Sequence, residues 1–186
     1  MRISELLTKY AYTSDNEHGT DKNRCKKWGH CYGLAYDHIF EKFDKNDKID
    51  IIEVGTEYGA SLIAWKEFFP NANVAGIDIV DRAENKRADI EYIISDVKDL
   101  KPEKEYDIVI DDGSHKLSDV IHTVKNFKLK VGGIMIIEDC QAPQHWFEKI
   151  RKNTNHTIEL IDLRKVYGQH DDYLIVLRRY GYDFNK

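Results

Sequence analysis

The chain has 186 residues, which suits one compact domain with its own hydrophobic core and leaves little room for a second. Its 28 basic and 33 acidic residues leave a formal net charge of -5, and 41% of its residues are hydrophobic. That balance excludes a disordered chain and argues against binding along a nucleic-acid backbone, which needs clustered Lys and Arg. The N-terminus lacks the apolar core of a secretory signal and no stretch approaches a membrane span, so a cytoplasmic protein is expected. Cys25, Cys31 and Cys140 agree, being odd in number and without framework spacing. Cys25, His30 and Cys31 offer zinc no evident fourth ligand.

Taken in chain order, Ile3 to Tyr10 reads as a short amphipathic helix. A polar, irregular stretch follows from Thr13 to Trp28, and a helix is expected from Gly33 to Phe43. Alternation then sets in. Lys48–Val54 is a strand followed by a helix from Ala60 to Phe69. Asn73–Ile79, Ile90–Ser95 and Tyr106–Asp111 are three further strands. Lys116–Leu129 is a helix with Val120, Ile121, Val124 and Phe127 on one face. Gly132-Gly133 is expected to break it before a fifth strand, Ile134–Ile137. A helix over Gln144–Lys152 precedes strands at Thr157–Leu163 and Tyr173–Arg179. Continuous apolar strands alternating with helices predict an α/β fold with a parallel sheet covered on both faces. The last two strands lack an intervening helix and should pair antiparallel. This is the layout of the class I methyltransferase (Rossmann-like) fold: a mainly parallel, seven-stranded sheet with an antiparallel C-terminal pair. Residues 1–186 form a single domain in this reading, with 1–45 as its N-terminal helical segment.

The first chemical signal is Glu53-Val54-Gly55-Thr56-Glu57-Tyr58-Gly59, where a buried strand gives way to a helix. Ligands of open α/β sheets bind beyond the carboxyl ends of the strands, near the switch in strand order. Gly55 permits a tight turn and Gly59 a close approach of backbone to ligand. The next strand ends at Asp78, about twenty residues on, where a carboxylate can accept from ribose hydroxyls. A dinucleotide site would show G-x-G-x-x-G for the pyrophosphate. Here the spacing is E-x-G-x-x-x-G with acidic flanks, which suits the sulfonium and amino group of S-adenosylmethionine better. A plain βα turn is the competing reading of the loop, and a helix cap that of Asp78. Asp96, after the third strand, is an adenine-side candidate that would equally serve as a cap.

The second signal is Asp111-Asp112-Gly113-Ser114-His115 after strand four, with Glu138-Asp139 after strand five. If these strands are neighbours, their ends lie roughly 4.8 Å apart. Asp112, Glu138 and Asp139 then share one rim beside the glycine loop. Carboxylates that close repel unless protonated or bridged by a cation, and oxygen ligands favour Mg²⁺. His115, with an ordinary imidazole pKa near neutrality, would be a general base over that rim. An exposed loop histidine and an Asp-Asp-Gly turn are the competing readings; the coincidence with Glu138-Asp139 favours the site.

Together Gly19-Thr20-Asp21-Lys22, His30-Cys31-Tyr32, EVGTEYG, DDGSH and IIEDC resemble the metal-dependent sugar O-methyltransferases of macrolide and related glycoside biosynthesis. The resemblance covers Gly19 to Asp139. It implies that Asp112, Glu138 and Asp139 hold Mg²⁺ and that His115 is the general base, with Asp112 part of the catalytic group. It further implies a cofactor site closed by Thr20, Asp21 and Lys22, with His30 and Tyr32 nearby. Glu53, Gly55, Thr56, Tyr58, Gly59, Asp78, Asp96 and Asp111 complete that site. Those enzymes carry a further N-terminal domain, for which this sequence has no room. The segments Gln141–Phe147 and Val166–Asp172 match nothing assignable, so the acceptor stays open.

The expectation is therefore an S-adenosylmethionine-dependent, Mg²⁺-assisted O-methyltransferase. Its acceptor would be a small molecule or glycan with adjacent hydroxyls, with no nucleic acid and no membrane among its partners and room for a homo-oligomer. Competing functions are a catechol-type diol methyltransferase, an NAD-dependent sugar oxidoreductase and a catalytically silent binding module. His145, Trp146 and Tyr167 are acceptor-pocket candidates, although Trp146 reads better as core. His170-Asp171-Asp172 reads as a hairpin turn.

Overall fold

The computed structural model describes residues 1–24, 29–84, 86–166 and 170–181. Cys25, Trp28 and Tyr167 lie outside these residues. Two helices, α1 (Ile3–Lys9) and α2 (Gly33–Phe40), precede an alternating α/β unit. It comprises β1 (Asp50–Val54), α3 (Ala60–Phe68), β2 (Asn73–Asp78), β3 (Ile90–Ile94), β4 (Glu105–Asp111), α4 (Leu117–Asn126), β5 (Lys128–Ile137) and α5 (Pro143–Arg151). The hairpin strands β6 (Thr157–Asp162) and β7 (Tyr173–Arg178) end it.

The seven strands form one sheet in the order β3-β2-β1-β4-β5-β7-β6. All neighbours are parallel except β5·β7 and β6·β7, as expected for a pair joined without a helix. This is the class I methyltransferase fold. Adjacent residues of the central strands face opposite layers. Ile51, Ile108, Ile110, Ile134, Ile136, Leu174 and Val176 join the core beneath α1–α3, around Trp65, Tyr36 and Phe40. Ile52, Val109, Met135, Ile137, Ile175 and Leu177 face the core beneath α4 and α5, around Phe127, Trp146 and Ile150. Strands buried on both faces need continuous apolar runs, which is why DIIEV and IMII carry no polar alternation. Trp146 is core, as its helical setting suggested.

One boundary differs from the sequence expectation. The helix α4 stops at Asn126, and β5 begins at Lys128, running through Gly132-Gly133 instead of starting after it. Tyr106 pairs with Leu129 and Ile108 with Ile134, so β4 advances two residues while β5 advances five. The extra residues form a bulge with Gly132 at φ 81°. Glycines that read as a helix breaker are here the bulge of a strand.

After β3, at one edge, the chain crosses back to β4, on the other side of β1. The carboxyl ends of β1 and β4 therefore flank the point where the strand order reverses, the place such sheets reserve for ligands. Among the described residues no helix is long and apolar enough to cross a membrane.

Candidate active site

Two adjoining cavities open at that reversal. The first, about 340 Å³, is lined by Thr20, Asp21, Lys22, Gly55, Thr56, Tyr58, Ser61, Asp78, Arg82, Asp112, His115 and Asp139, among others. The second, about 290 Å³, is lined by Ile77, Ile79, Asp96, Val97, Lys98 and Ser114, among others. Gly55, Asp78 and Gly113 line both, so the two are compartments of one cleft. Its size suits a ligand with a flat apolar end and a polar, cationic end.

The glycine loop shapes the floor. Gly55 has φ 81° and its amide donates to the Ile77 carbonyl at 2.8 Å. Asp78 takes the Thr56 amide at 3.0 Å and the Glu57 amide at 2.8 Å on one oxygen, and the Val80 amide at 3.1 Å on the other. It thus braces the loop while facing both compartments. Asp96 accepts the Lys98 amide at 2.9 Å and caps a one-turn 3₁₀ helix, so both of its sequence readings apply. Gly59, at φ 79°, is the N-cap of α3.

The N-terminal segment forms the opposite wall. Tyr12 donates to the Thr20 carbonyl at 2.8 Å and Thr20 donates to the Tyr10 carbonyl at 2.9 Å, which turns the chain back over the cleft. Lys22 then runs inward, fully buried. Its Nζ lies 2.5 Å from Asp112 Oδ2, 2.8 Å from Glu138 Oε2 and 3.2 Å from Glu53 Oε1. Burial opposes its charge, but the three carboxylates outweigh that and hold its pKa well above the usual lysine value. Burial and the neighbouring carboxylates push Asp112 well up and Glu138 to about 7, against the pull of Lys22.

The rim itself brings together Asp112, His115 and Asp139. One possible ligand atom from each lies within 4.8 Å of the others. His115 Nε2 is 3.8 Å from Asp139 Oδ2. His115 and Asp139 hold left-handed backbone, at φ 51° and 52°, as does Glu57 at 45°. Such conformations cost about 1–3 kcal/mol each in non-glycine residues and collect at functional sites. Two carboxylates and an imidazole can hold a divalent cation. The charge balance agrees, since Glu53, Asp112, Glu138 and Asp139 converge on Lys22 and His30.

Several expected residues sit elsewhere. Glu138 stands behind the rim, with one oxygen on Lys22 and the other accepting from the Tyr36 hydroxyl. Glu53 is buried under α3, accepting from Ser61 Oγ at 2.8 Å and Trp65 Nε1 at 2.7 Å. Asp111 is buried behind the cleft, where burial raises its pKa. Its Oδ1 takes the Gly113 amide at 3.4 Å, and Oδ2 has no hydrogen-bond partner among the described residues. His30 and Tyr32 stack at 4.8 Å and face Asp139, not the cavity. Ser61, Arg82 and Asp172 belong to the site or its support and were not anticipated. Asp172 ends the connection between the hairpin strands β6 and β7, as its sequence suggests, and is fully buried there with its Oδ1 2.6 Å from His30 Nδ1. The one available signal was its position just before the apolar run Tyr173–Leu177.

The fold and rim define a class I methyltransferase domain. No protein-family model matches the chain. Over 146 residues it is 30% identical to the 8-demethyl-8-alpha-L-rhamnosyl tetracenomycin-C 2'-O-methyltransferase of Streptomyces olivaceus, covering 69% of this chain and 37% of that protein. It is 31% identical over 129 residues to the mycinamicin VI 2''-O-methyltransferase of Micromonospora griseorubida, covering 59% and 31%. In structure it is similar to the MycE methyltransferase in complex with Mg and SAH, at TM-score 0.70 and 22% identity, covering 100% of this chain and 56% of that one. The chain is a relative of these sugar O-methyltransferases. It spans about a third of the curated relatives' length.

Proposed function

We propose that this chain is the methyltransferase domain of a Mg²⁺-assisted sugar O-methyltransferase that uses S-adenosylmethionine. The observation that carries the reading is the meeting of Asp112, His115 and Asp139 at the open edge of the cleft. Relatives named for methylating rhamnosyl and macrolide sugars support a glycoside acceptor, and a neighbour solved with mycinamycin VI, Mg and SAH supports the cofactor pair. They weigh against an oxidoreductase. Residues 1–186 as a single domain, a cytoplasmic setting and a homo-oligomer belong to the same proposal.

In this reading the second cavity, lined by Ile77, Ile79 and Val97, would take the adenine, Asp78 would take the ribose hydroxyls, and Thr20–Lys22 would cover the methionine end. Asp112 and Asp139 hold the metal. Glu138 joins them only if Lys22 releases it, since both of its oxygens are engaged. Bound there, Mg²⁺ supplies Lewis acidity toward a sugar hydroxyl, and S-adenosylmethionine supplies the methyl group. An ion that prefers oxygen leaves the His115 imidazole free. His115 Nε2 then accepts the proton as the hydroxyl oxygen takes the methyl carbon and the electrons of the broken C–S bond go to sulfur. Because the donor and the hydroxyl meet on one rim, positioning contributes much of the rate.

The test is turnover of the purified chain on a panel of rhamnosides and macrolide glycosides with S-adenosylmethionine, followed as S-adenosylhomocysteine formed. Methylation that stops in excess chelator and returns with Mg²⁺ is expected. Undiminished methylation in chelator would remove the metal, and no binding of S-adenosylhomocysteine would remove the whole reading.

A further inference from the structure

The buried pair His30–Asp172 has no role in the chemistry above, and its geometry is specific. His30 projects from the segment between the rim-covering Thr20–Lys22 and α2, anchored by its own amide, which donates to the Asp21 carbonyl at 2.9 Å. Its Nδ1 faces Asp172 Oδ1 at 2.6 Å, and its Nε2 faces Asp139 Oδ1 at 3.5 Å. Asp172 comes from the far end of the chain, just before β7, and is wholly buried. The Tyr32 hydroxyl donates to the same Oδ1 of Asp139, and the Tyr32 ring lies on the His30 ring. Asp139 Oδ1 thus accepts from the Tyr32 hydroxyl, with His30 Nε2 beside it at 3.5 Å. The other, Oδ2, faces His115 and the cavity.

We infer that His30, carried by Asp172, is a positioning residue that presents Asp139 Oδ2 to a divalent cation. The inference rests on the functional reading above and assigns His30 and Tyr32 to the metal side of the site instead of the cofactor side. Asp139 lies two residues past the end of β5 with its backbone left-handed, at φ 52°, so its carboxylate is placed by loop backbone and by partners from elsewhere in the chain. A ligating carboxylate is commonly fixed by partners on its other oxygen, and loss of such a partner typically lowers metal affinity ~10–100-fold. Asp172 accepts from His30 Nδ1 and fixes the ring, so that Nε2 is the nitrogen turned toward the rim.

The test measures two affinities on the same protein by calorimetry, for Mn²⁺ alone and for S-adenosylhomocysteine alone. His30→Ala is expected to weaken Mn²⁺ about 10–100-fold and to leave S-adenosylhomocysteine within about twofold. His30→Gln, whose amide can still donate toward Asp139, should recover part of the loss, and Asp172→Asn should fall between. A general structural role would weaken both ligands together and would not be rescued by Gln. If His30→Ala does not fold, the Gln and Asn variants carry the comparison. Mn²⁺ binding equal to the unmodified protein in folded variants overturns the inference alone. Absence of Mn²⁺ binding in the unmodified protein overturns it together with the metal reading, and absence of S-adenosylhomocysteine binding points instead to the cofactor reading.

Discussion

The backbone at Gly55 runs so close to Asp112 that a Cβ on Gly55 would come within 2.0 Å of the Asp112 carbonyl oxygen. The ends of β1 and β4 are locked together there, with the Asp112 amide donating to the Val54 carbonyl at 2.8 Å. Gly55→Ala must therefore either spread the two strand ends or tilt the loop that Asp78 braces. The positive φ alone costs about 1–3 kcal/mol, and the clash adds to it. The natural control is Gly132→Ala, at the same φ but in open space. Gly55→Ala is expected to melt several degrees below Gly132→Ala and to lose S-adenosylhomocysteine binding. Equal melting of the two variants would count against the lock.

His115 is expected to matter for the proton and not for the cleft. General-base help is typically worth ~10²–10⁴-fold, so His115→Ala should lower kcat by about that factor. Affinity for S-adenosylhomocysteine should persist, because the residues that brace the glycine loop are untouched. A variant that retains full kcat would exclude His115 as the base and leave it as a wall of the cavity.

The sheet and the rim were legible in the sequence for a shared reason. Strands buried on both faces must be apolar throughout, so a run such as IVID or IMIIED announces both a strand and the polar residues stranded at its end. The meeting of Asp112, His115 and Asp139 was readable because it follows directly from strand order. What the sequence concealed was which way a carboxylate turns once two others compete for the same cation. Glu138 follows Ile137 as Asp112 follows Asp111, yet Lys22 and Tyr36 draw Glu138 inward. Both partners lie about a hundred residues away in the chain, and no spacing rule connects them. Asp172 was hidden in the same way, as a hairpin residue whose partner, His30, comes from the opposite terminus. At Gly132 the local rule misled, since a glycine pair after a helix predicts a break equally well whether the next strand starts before it or after it.

At the opposite, amino-terminal end of the strands, Asp50 at the start of β1 gives a pH signature independent of the site. Burial would raise its pKa, but hydrogen bonds from Lys104, Lys130 and Asn73 outweigh it and bring the value down to about 2. A carboxylate lowered in the folded state contributes stability that is fully present above its unfolded value, near 4. That contribution is lost as pH falls through about 2. Urea midpoints measured from pH 5 to pH 2 should therefore drop less steeply in Asp50→Asn than in the unmodified protein. The two curves should converge at the acid end. Parallel curves across that range would mean that Asp50 is not ionised against its lysines.

The charge of the cleft makes Arg82 the last residue to test. The first cavity carries Asp21, Glu57, Asp78, Asp112 and Asp139, and its lysine, Lys22, is wholly committed to buried carboxylates. A ligand with a sulfonium and an α-amino group suits that field, but its α-carboxylate does not. Arg82 is the other basic Lys or Arg side chain on the wall, and a guanidinium fork matches a carboxylate with paired donors. Because Arg82 is exposed, solvent screens the interaction, and a loss of about tenfold in affinity is the expected scale. Arg82→Ala should therefore weaken S-adenosylhomocysteine by about that factor while leaving 5′-methylthioadenosine, which lacks the amino-acid portion, unchanged. If both ligands weaken equally, Arg82 acts on the shape of the loop after β2; if neither does, the carboxylate finds its donors among the free amides of the first turn of α3.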